Sequence, residues 1–440
     1  MNKLFALISI LLVAFISLVS LNYSIKRSDE SIHSAVAQEM ANFDGTLVNP
    51  KFFGTTYLNK PPLQIFLTSR LIKLFGDENF VYRIIPALCG IGSAILLILI
   101  SNSYFGSLIP GIFAVLCMAS GRQIFFDHGI RVGVQDSALL FGVLLTIFGF
   151  LKEKRLLVFL GTFVGTSVKW ISGLLPAFFI LLWALYERRR IPIFSIITGV
   201  APVFLFLGYH LATDFESTIG TLKFNISERL IGEGHHNQED FFLYFRNLFL
   251  RSSYGSSWMI FLGLLSIFNF KKTGALFLWG SFGLVILSFL SSRLPWYLFP
   301  VVPSFWLMFG YVAWRALIFS KKFMPLTFLL ILIFSLRDIA PILKRAVNDN
   351  KIENIDLLVQ RLKNIPVRLE GINPMIDGSG GLSRRQLFYL RRLKIDQNAD
   401  LALATPEYDR LFDAWSKQEC INNENKKEKI VFCLFKKLPK

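Results

Sequence analysis

Two acidic residues, Asp29 and Glu30, follow the first apolar run of the chain, and Lys60 stands further on before a rigid Pro61-Pro62 pair. An acidic pair at a lipid–water boundary is costly unless it is partnered or hydrated. Helices lying along the interface would form a groove in which acid and base face each other. The plainer reading is a helix cap: Ser28 or Asp29 would cap a short helix over 30–42. That accounts for one residue. It leaves Lys60, its proline pair and the amphipathic stretch to Leu74 without a role. A second carboxylate, Asp136, sits at the end of a later apolar run, where an unpaired charge is expensive. Arg131 and Lys169 are its candidate partners; a helix-start acid near the positive end of a helix dipole is the alternative. For Lys169 and Arg293 the alternative is snorkelling at span ends, and for Arg229 an interfacial anchor.

The elements that position these groups are apolar helices. Of 440 residues, 53% are apolar and 18% charged, and the mean hydropathy is +0.51. An ordinary soluble domain carries about 25% charged residues. This composition excludes disorder, collagen and a small disulfide scaffold, and argues against a soluble enzyme. Apolar runs of about 20 residues can cross a bilayer. Eleven candidates lie near 3–23, 80–101, 104–121, 134–151, 156–169, 171–186, 191–211, 252–269, 273–290, 296–318 and 323–340. The count extends up to 13 if broken runs are divided, and 156–186 fits two short helices or one broken helix.

Charge gives a topology. With a cytoplasmic N-terminus, the tight inner loops hold Lys3, Lys152, Lys154, Arg155, Arg188 to Arg190, Lys271, Lys272, Lys321 and Lys322, against only Glu153 and Glu187. That is the pattern of the positive-inside rule. The long segments 24–79, 122–133, 212–251 and the tail from 341 then lie outside, with all five histidines in or beside that face. The formal net charge of +17 thus reads as topology plus a basic tail, which holds 19 basic and 13 acidic residues. The basic residues do not form one nucleic-acid footprint.

Residues 1–340 read as a transmembrane domain and 341–440 as a separate small α/β domain. In the tail, strands are expected over 366–372, 401–405 and 430–435, and helices over 383–393 and 406–417. Cys89 and Cys117 read as packing residues in spans, whereas an oxidising compartment would permit a disulfide between Cys420 and Cys433.

Several elements together carry a resemblance: Asp29-Glu30, Glu39-Met40, Tyr57, Lys60-Pro61-Pro62-Leu63, Phe75-Gly76 and Arg83. This first loop resembles that of the bacterial dolichyl-phosphate-mannose protein mannosyltransferase-like family, which includes aminoarabinose transferases of lipid A and rhizobial galacturonosyl transferases. Arg131 with Asp136, Lys169 with Gly173, and Ser292 to Tyr297 with Pro300 and Pro303 are similar to later family elements. Arg293 stands where the family has Lys. The resemblance implies a GT-C fold: a polytopic helical membrane bundle, interfacial helices in the first outer loop, and a C-terminal outer domain.

It further implies a polyprenyl-phosphate-linked sugar as donor, and an inverting transfer at the outer leaflet to lipid A, lipopolysaccharide or another envelope acceptor. The protein would be a multi-pass protein of the bacterial inner membrane with a periplasmic tail. Such a donor needs no nucleotide pocket, and no GxGxxG or Walker loop is present. It needs cations for one phosphate. Lys60, Arg229 and Arg293 are the first candidates, with Tyr57 and Tyr297 as hydroxyl donors and Glu30, Arg83, Arg131 and Lys169 in support. Asp29 is the candidate base for a hydroxyl acceptor, and Asp136 orients. No metal is assigned: Asn59 stands where aminoarabinose transferases often carry a Glu that helps hold one. His33, His235 and His236 leave a divalent cation open. A flippase of the lipid-linked sugar and a protein O-mannosyltransferase are the rival readings. The first would need charges deep in several spans and matched broken helices, which the sequence lacks.

Overall fold

The computed structural model describes residues 2–25, 28–43, 45–224, 241–320, 324–349, 352, 354–370, 388–396, 399–404, 415–422 and 431–437. In chain order its first elements are α1 (Asn2–Leu18), α2 (Ser28–Asn42), β1 (Lys51–Phe52), β2 (Thr55–Thr56), α3 (Leu63–Phe75), α4 (Val81–Phe105), α5 (Ile109–Ala119), α6 (Arg122–Phe126), α7 (Asp136–Leu151) and α8 (Arg155–Val168). Next come α9 (Leu175–Glu187), α10 (Ile193–Thr213), α11 (Phe215–Lys223), α12 (Leu243–Phe245), α13 (Ser257–Gly263), α14 (Phe270–Phe289), α15 (Val302–Phe319) and α16 (Met324–Asn348). The chain continues through α17 (Asn354–Leu362), β3 (Pro366–Glu370), β4 (Lys394–Ile395), β5 (Leu401–Ala404), β6 (Trp415–Asn422) and β7 (Val431–Lys437).

These elements form two compact units. The first comprises Met1–Leu21, Leu58–Leu67 and Arg83–Asn348, and the second Asn22–Tyr57, Thr68–Tyr82 and Asp349–Lys440. The first outer segment and the tail, distant in sequence, thus largely share one unit.

The first unit is a helical membrane bundle. Among the described residues, five helical stretches can by length and composition each cross a membrane: Val81–Phe105, Ile193–Thr213, Ser257–Phe289, Val302–Phe319 and Pro325–Asn348. Shorter apolar helices occupy the other expected runs. Ser257–Phe289 is helical almost throughout, yet it folds back at Asn269, whose φ of −125° and ψ of 49° leave the helical region. Gly263 packs on Phe309 and Gly280 on Phe305, so residues seventeen apart meet one short stretch of α15. A straight helix would separate them by about 25 Å. Close packing elsewhere rests on small residues. Gly161 and Gly165 of α8 lie against Gly142 and Thr146 of α7, and Gly310 of α15 against the Pro110 carbonyl. With no hydrophobic drive between helices in lipid, such contacts supply the association energy.

The second unit pairs helix α2 and the β1–β2 hairpin with α17 and a mixed sheet of order β4-β3-β5-β7-β6. β3 runs parallel to β4 and β5, while β7 is antiparallel to β5 and β6. Residues 415–417, expected in a helix, are the start of β6; their pairing with Lys437, Lys436 and Phe435 outweighs the local pattern. The remainder of that expected helix lies outside the described residues, as do 383–387 of the one over 383–393, of which 388–390 are helical. Cys433 is disulfide-bonded, and Cys420 stands directly across the ladder from it. Cys89 and Cys117 are free.

Arginines hold this unit together. Arg391 pairs with Glu39 of α2 at 2.9 Å, both nearly fully buried, with Phe43 and Phe53 rings at 4.6 and 4.8 Å. Arg392 reaches Asp77 at 3.0 Å and Asn79 at 2.8 Å, and its face lies on Phe388 at 4.6 Å. Burial opposes its charge, but Asp77, Tyr82, Tyr389 and Asp356 hold the guanidinium pKa above its ordinary value. Asp356 also accepts from Ser24 at 2.8 Å and Asn79 at 2.5 Å.

Candidate active site

In the first unit, α7 begins with Asp136 and runs away from it; the turn at Lys152–Lys154 sends α8 back antiparallel. Lys169 therefore returns to the level at which α7 began. The chain breaks there: Lys169 leaves the helical region with φ −150° and ψ 96°, and a short 3-10 turn over Ile171–Leu174 leads into α9. Gly173 makes the break feasible, because a side chain at that position would strike the backbone of Gly165 and Thr166. The result is a buried ion pair between the Lys169 ammonium and Asp136 Oδ1, both side chains under a tenth exposed.

The other carboxylate oxygen of Asp136 lies 3.8 Å from His128 Nδ1. The His128 ring stacks on Trp296, with centroids 3.6 Å apart and planes 10° off parallel. The neighbouring Tyr297 ring lies 5.2 Å from the Lys169 ammonium, within reach of a cation–π contact. His128 has a φ of 60°, uncommon for a residue with a side chain and worth noting beside a buried carboxylate.

The loop carrying Lys60 is fastened to the same place from both sides. Trp170 Nε1 donates to the Asn59 carbonyl at 2.9 Å, and Gln135 Nε2 donates to the Pro61 carbonyl at 3.2 Å. Gln64 Nε2 in turn donates to the Val134 carbonyl at 3.1 Å. The neighbours of Lys169 and Asp136 thus clamp the neighbours of Lys60, which is itself half-buried. Two prolines leave few backbone donors in this loop, so its carbonyls carry the attachment.

The remaining sequence candidates fall elsewhere. Arg131 does not meet Asp136. It caps two helices, donating to the carbonyls of Ile16 and Val19 at the end of α1 and of Ala346 near the end of α16. A cation there complements the negative end of a helix dipole. Arg83 donates to the Leu21 carbonyl at 2.8 Å. Arg293 donates to the Ser288 carbonyl at 2.8 Å, capping α14, and is half-buried near Trp296 in sequence. Asp29 and Glu30 form the first turn of α2 in the second unit, Glu30 buried and Asp29 half-buried. The helix thus begins at Ser28 and takes Asp29 into its first turn. Tyr57 is buried in that unit, its backbone N–H donating to the Pro50 carbonyl at 2.7 Å. His33 is buried there as well. Arg229, His235 and His236 lie outside the described residues. Among the described residues no group of three or more His, Cys, Asp and Glu side chains could hold a metal ion.

Sequence reading passed over His128, Trp170 and Gln135 as site residues. Each acts through a partner far along the chain, so no local spacing marks it; only the Trp296-Tyr297 pair gave a sign.

Residues 59–209 match the model of the dolichyl-phosphate-mannose-protein mannosyltransferase family. That range holds Lys60, Asp136 and Lys169. Across almost the whole chain the fold is that of ArnT from Cupriavidus metallidurans bound to undecaprenyl phosphate. The TM-score is 0.70 at 14% identity, covering 98% of this chain and 97% of that one. The chain thus resembles this mannosyltransferase family over residues 59–209 and is similar in fold to ArnT over nearly its whole length. The archaeal oligosaccharyltransferase AglB from Archaeoglobus fulgidus, in complex with an inhibitory peptide and a dolichol-phosphate, is similar in fold more distantly. Its TM-score is 0.53 at 13% identity, over 92% of this chain and 70% of that one. An uncharacterized protein of Aquifex aeolicus is 25% identical over 296 residues, and the match spans 57% of its length. A helical membrane bundle explains why the buried pair lies where helices break: a break supplies unspent polar groups without opening the hydrocarbon-facing surface.

Proposed function

We propose that this protein transfers a sugar from a polyprenyl-phosphate donor, undecaprenyl phosphate in bacteria, to a lipid A, lipopolysaccharide or other envelope acceptor at the outer face of the inner membrane. The observation that carries the reading is the state of Lys169. An ammonium has three donors. Among the described residues Lys169 has one hydrogen-bond acceptor, Asp136, and one aromatic face, Tyr297. A nearly buried ammonium with unspent donors, beside a fastened Lys60 loop, suits an anionic oxygen.

In the proposed reaction the bond between the sugar's anomeric carbon and the phosphate oxygen breaks, and a bond from an acceptor oxygen to that carbon forms on the opposite face, with inversion. Polyprenyl phosphate departs with the bonding electrons. Lys169 and Lys60, with Arg293 and Arg229 as further candidates, offset the charge that develops on it. Tyr57 and Tyr297 would add hydroxyl donors. Asp136 aims the Lys169 ammonium. Asp29 takes the proton of a hydroxyl acceptor; where the acceptor is a phosphate, no proton moves and Asp29 orients. The family match keeps a protein hydroxyl as the second acceptor class.

The test uses purified protein in lipid with radiolabelled polyprenyl-phosphate sugars and candidate acceptors. Transfer is expected with the intact chain and lost in Lys60→Ala and Asp29→Asn. Full activity in Asp29→Asn would remove that residue from the mechanism. Mass analysis of lipid A and lipopolysaccharide from a deletion strain is expected to lack one sugar mass, which names donor and acceptor together.

A further inference from the structure

At the far end of α7 from Asp136 the bundle holds a cavity of about 440 Å³. It is lined by Phe150 at the end of α7, by Glu153 in the turn after it, by Arg155 at the start of α8, and by Arg189, Arg190 and Pro192 between α9 and α10. The thirteen or fourteen helical residues between place it about 20 Å from the Asp136–Lys169 pair. It is therefore a different site from the one described above.

Its charge is lopsided. Three guanidiniums meet one carboxylate in the lining. Arg189 is engaged by Glu187 at 2.8 Å. Among the described residues neither Arg155 nor Arg190 has an ion-pair partner. Basic turns as such only report topology. A topology signal needs no concavity, and residues serving it need not converge. Here two separate turns close on one space. The first contains Glu153 (φ 56°) and the second Arg188 (φ 54°), and these left-handed residues reverse the chain sharply at both places. The cavity falls within the roughly 300–1,000 Å³ of ligand-sized pockets. Beside it in sequence stand exposed apolar side chains: Leu156 (66%), Ile193 (59%) and Phe194 (78%). A planar guanidinium fork suits a phosphate, and a neighbouring apolar surface suits acyl chains.

We propose that this cavity binds the phosphate of an anionic phospholipid headgroup, held by Arg155 and Arg190, with Arg189 shared between Glu187 and the ligand. The site neither uses nor requires the transfer reaction. It would anchor the α7–α10 region in a bilayer rich in anionic lipid.

The experiment places the full chain in nanodiscs of equal phosphatidylcholine and phosphatidylglycerol and counts co-purifying lipid by native mass spectrometry. The wild type is expected to retain phosphatidylglycerol over phosphatidylcholine. Arg155→Gln with Arg190→Gln is expected to lower that retention roughly tenfold or more, through two lost charge-assisted contacts. A control, Arg188→Gln with Lys271→Gln, removes the same charge outside the lining and is expected to retain the lipid. Equal loss in both doubles assigns the effect to diffuse surface charge and overturns the proposal, as does equal retention of the two lipids by the wild type. A third arm adds inorganic phosphate to protein in phosphatidylcholine alone and follows thermal unfolding. Stabilisation by phosphate, abolished by the cavity double but with no phosphatidylglycerol retention, makes the ligand a soluble phosphate and overturns the lipid assignment. Donor turnover in the same nanodiscs reports separately on the transfer reading.

Discussion

Both units bury charge, and they do so in opposite ways. In the second unit Arg392 has two carboxylates, one amide and three aromatic rings around it. The elements it joins are distant in sequence, and its guanidinium is ringed by charge and aromatic faces although, among the described residues, Nε and Nη2 lack a hydrogen-bond acceptor. That is a clamp. In the first unit Lys169 holds one carboxylate oxygen and lies over one ring. A buried cation ringed by several charges and aromatic faces fixes a structure, whereas one that meets a single carboxylate and a single ring keeps room for a ligand. The two sites are alike in burial and differ in how many charged and aromatic groups of the chain surround the cation. Substitutions in the clamp should therefore act on stability, and substitutions at Lys169 on chemistry beyond any loss of stability.

The largest expected effect is at the clamp. Arg392→Met leaves Asp77 and Asp356 without their shared cation. Breaking a buried pair from one side costs about 3–5 kcal/mol. Thermal unfolding in detergent should show a large loss, and limited proteolysis should cut the second unit first. Adding Asp77→Asn and Asp356→Asn should return part of the stability. If the single variant unfolds like the wild type, Arg392 is not a clamp.

At Lys169 the two readouts should separate. Lys169→Met is expected to lower turnover by about 10²–10³-fold, the effect of removing one preorganised charge at a developing anion. It also strands Asp136, so stability falls too. Lys169→Met with Asp136→Leu should restore stability, since replacing both members of a buried pair by apolar groups is often neutral or better. Turnover should stay lost. Recovery of turnover in the double variant would make the pair a clamp like the other and sink the comparison.

The disulfide gives an intermediate effect confined to the second unit. Closing a loop of this size contributes about 3 kcal/mol by chain entropy. Cys433→Ser should lower the unfolding temperature, and reductant should shift the wild type but not the variant. A wild type insensitive to reductant would contradict an accessible stabilising bridge.

What the sequence disclosed follows from range. The helices were legible because a membrane span writes itself in one uninterrupted apolar run. Lys60 stood out because the prolines beside it signal a rigid loop, and Lys169 as a candidate partner for Asp136. Asp136 was legible as a costly charge, but its choice of Lys169 over Arg131 was not. The two cations are equally eligible from sequence, and only the return of α8 decides. The grouping of α2 with the tail was hidden for the same reason, since Arg391 and Glu39 are brought together by the fold alone. In the tail, β6 was missed because Trp415–Asn422 owes its strand to pairing with β7, not to its own alternation.

The smallest effect tests how the Lys60 loop is held. Trp170 Nε1 gives one hydrogen bond to the Asn59 carbonyl. Trp170→Phe removes that donor and keeps an aromatic ring against Phe206, whose centroid lies 6.0 Å away. One neutral hydrogen bond contributes about 1 kcal/mol. If the bond serves to place Lys60 for the donor phosphate, its loss should raise the donor KM about fivefold and leave kcat nearly unchanged. If it serves only the fold, the unfolding temperature should drop and KM should hold. Gln135→Leu removes the second fastening, to Pro61, and should act in the same direction. The two substitutions share one loop, so their effects should combine non-additively. Strict additivity would mean that the two bonds hold independent things, and that the loop is not the single positioned element the geometry describes.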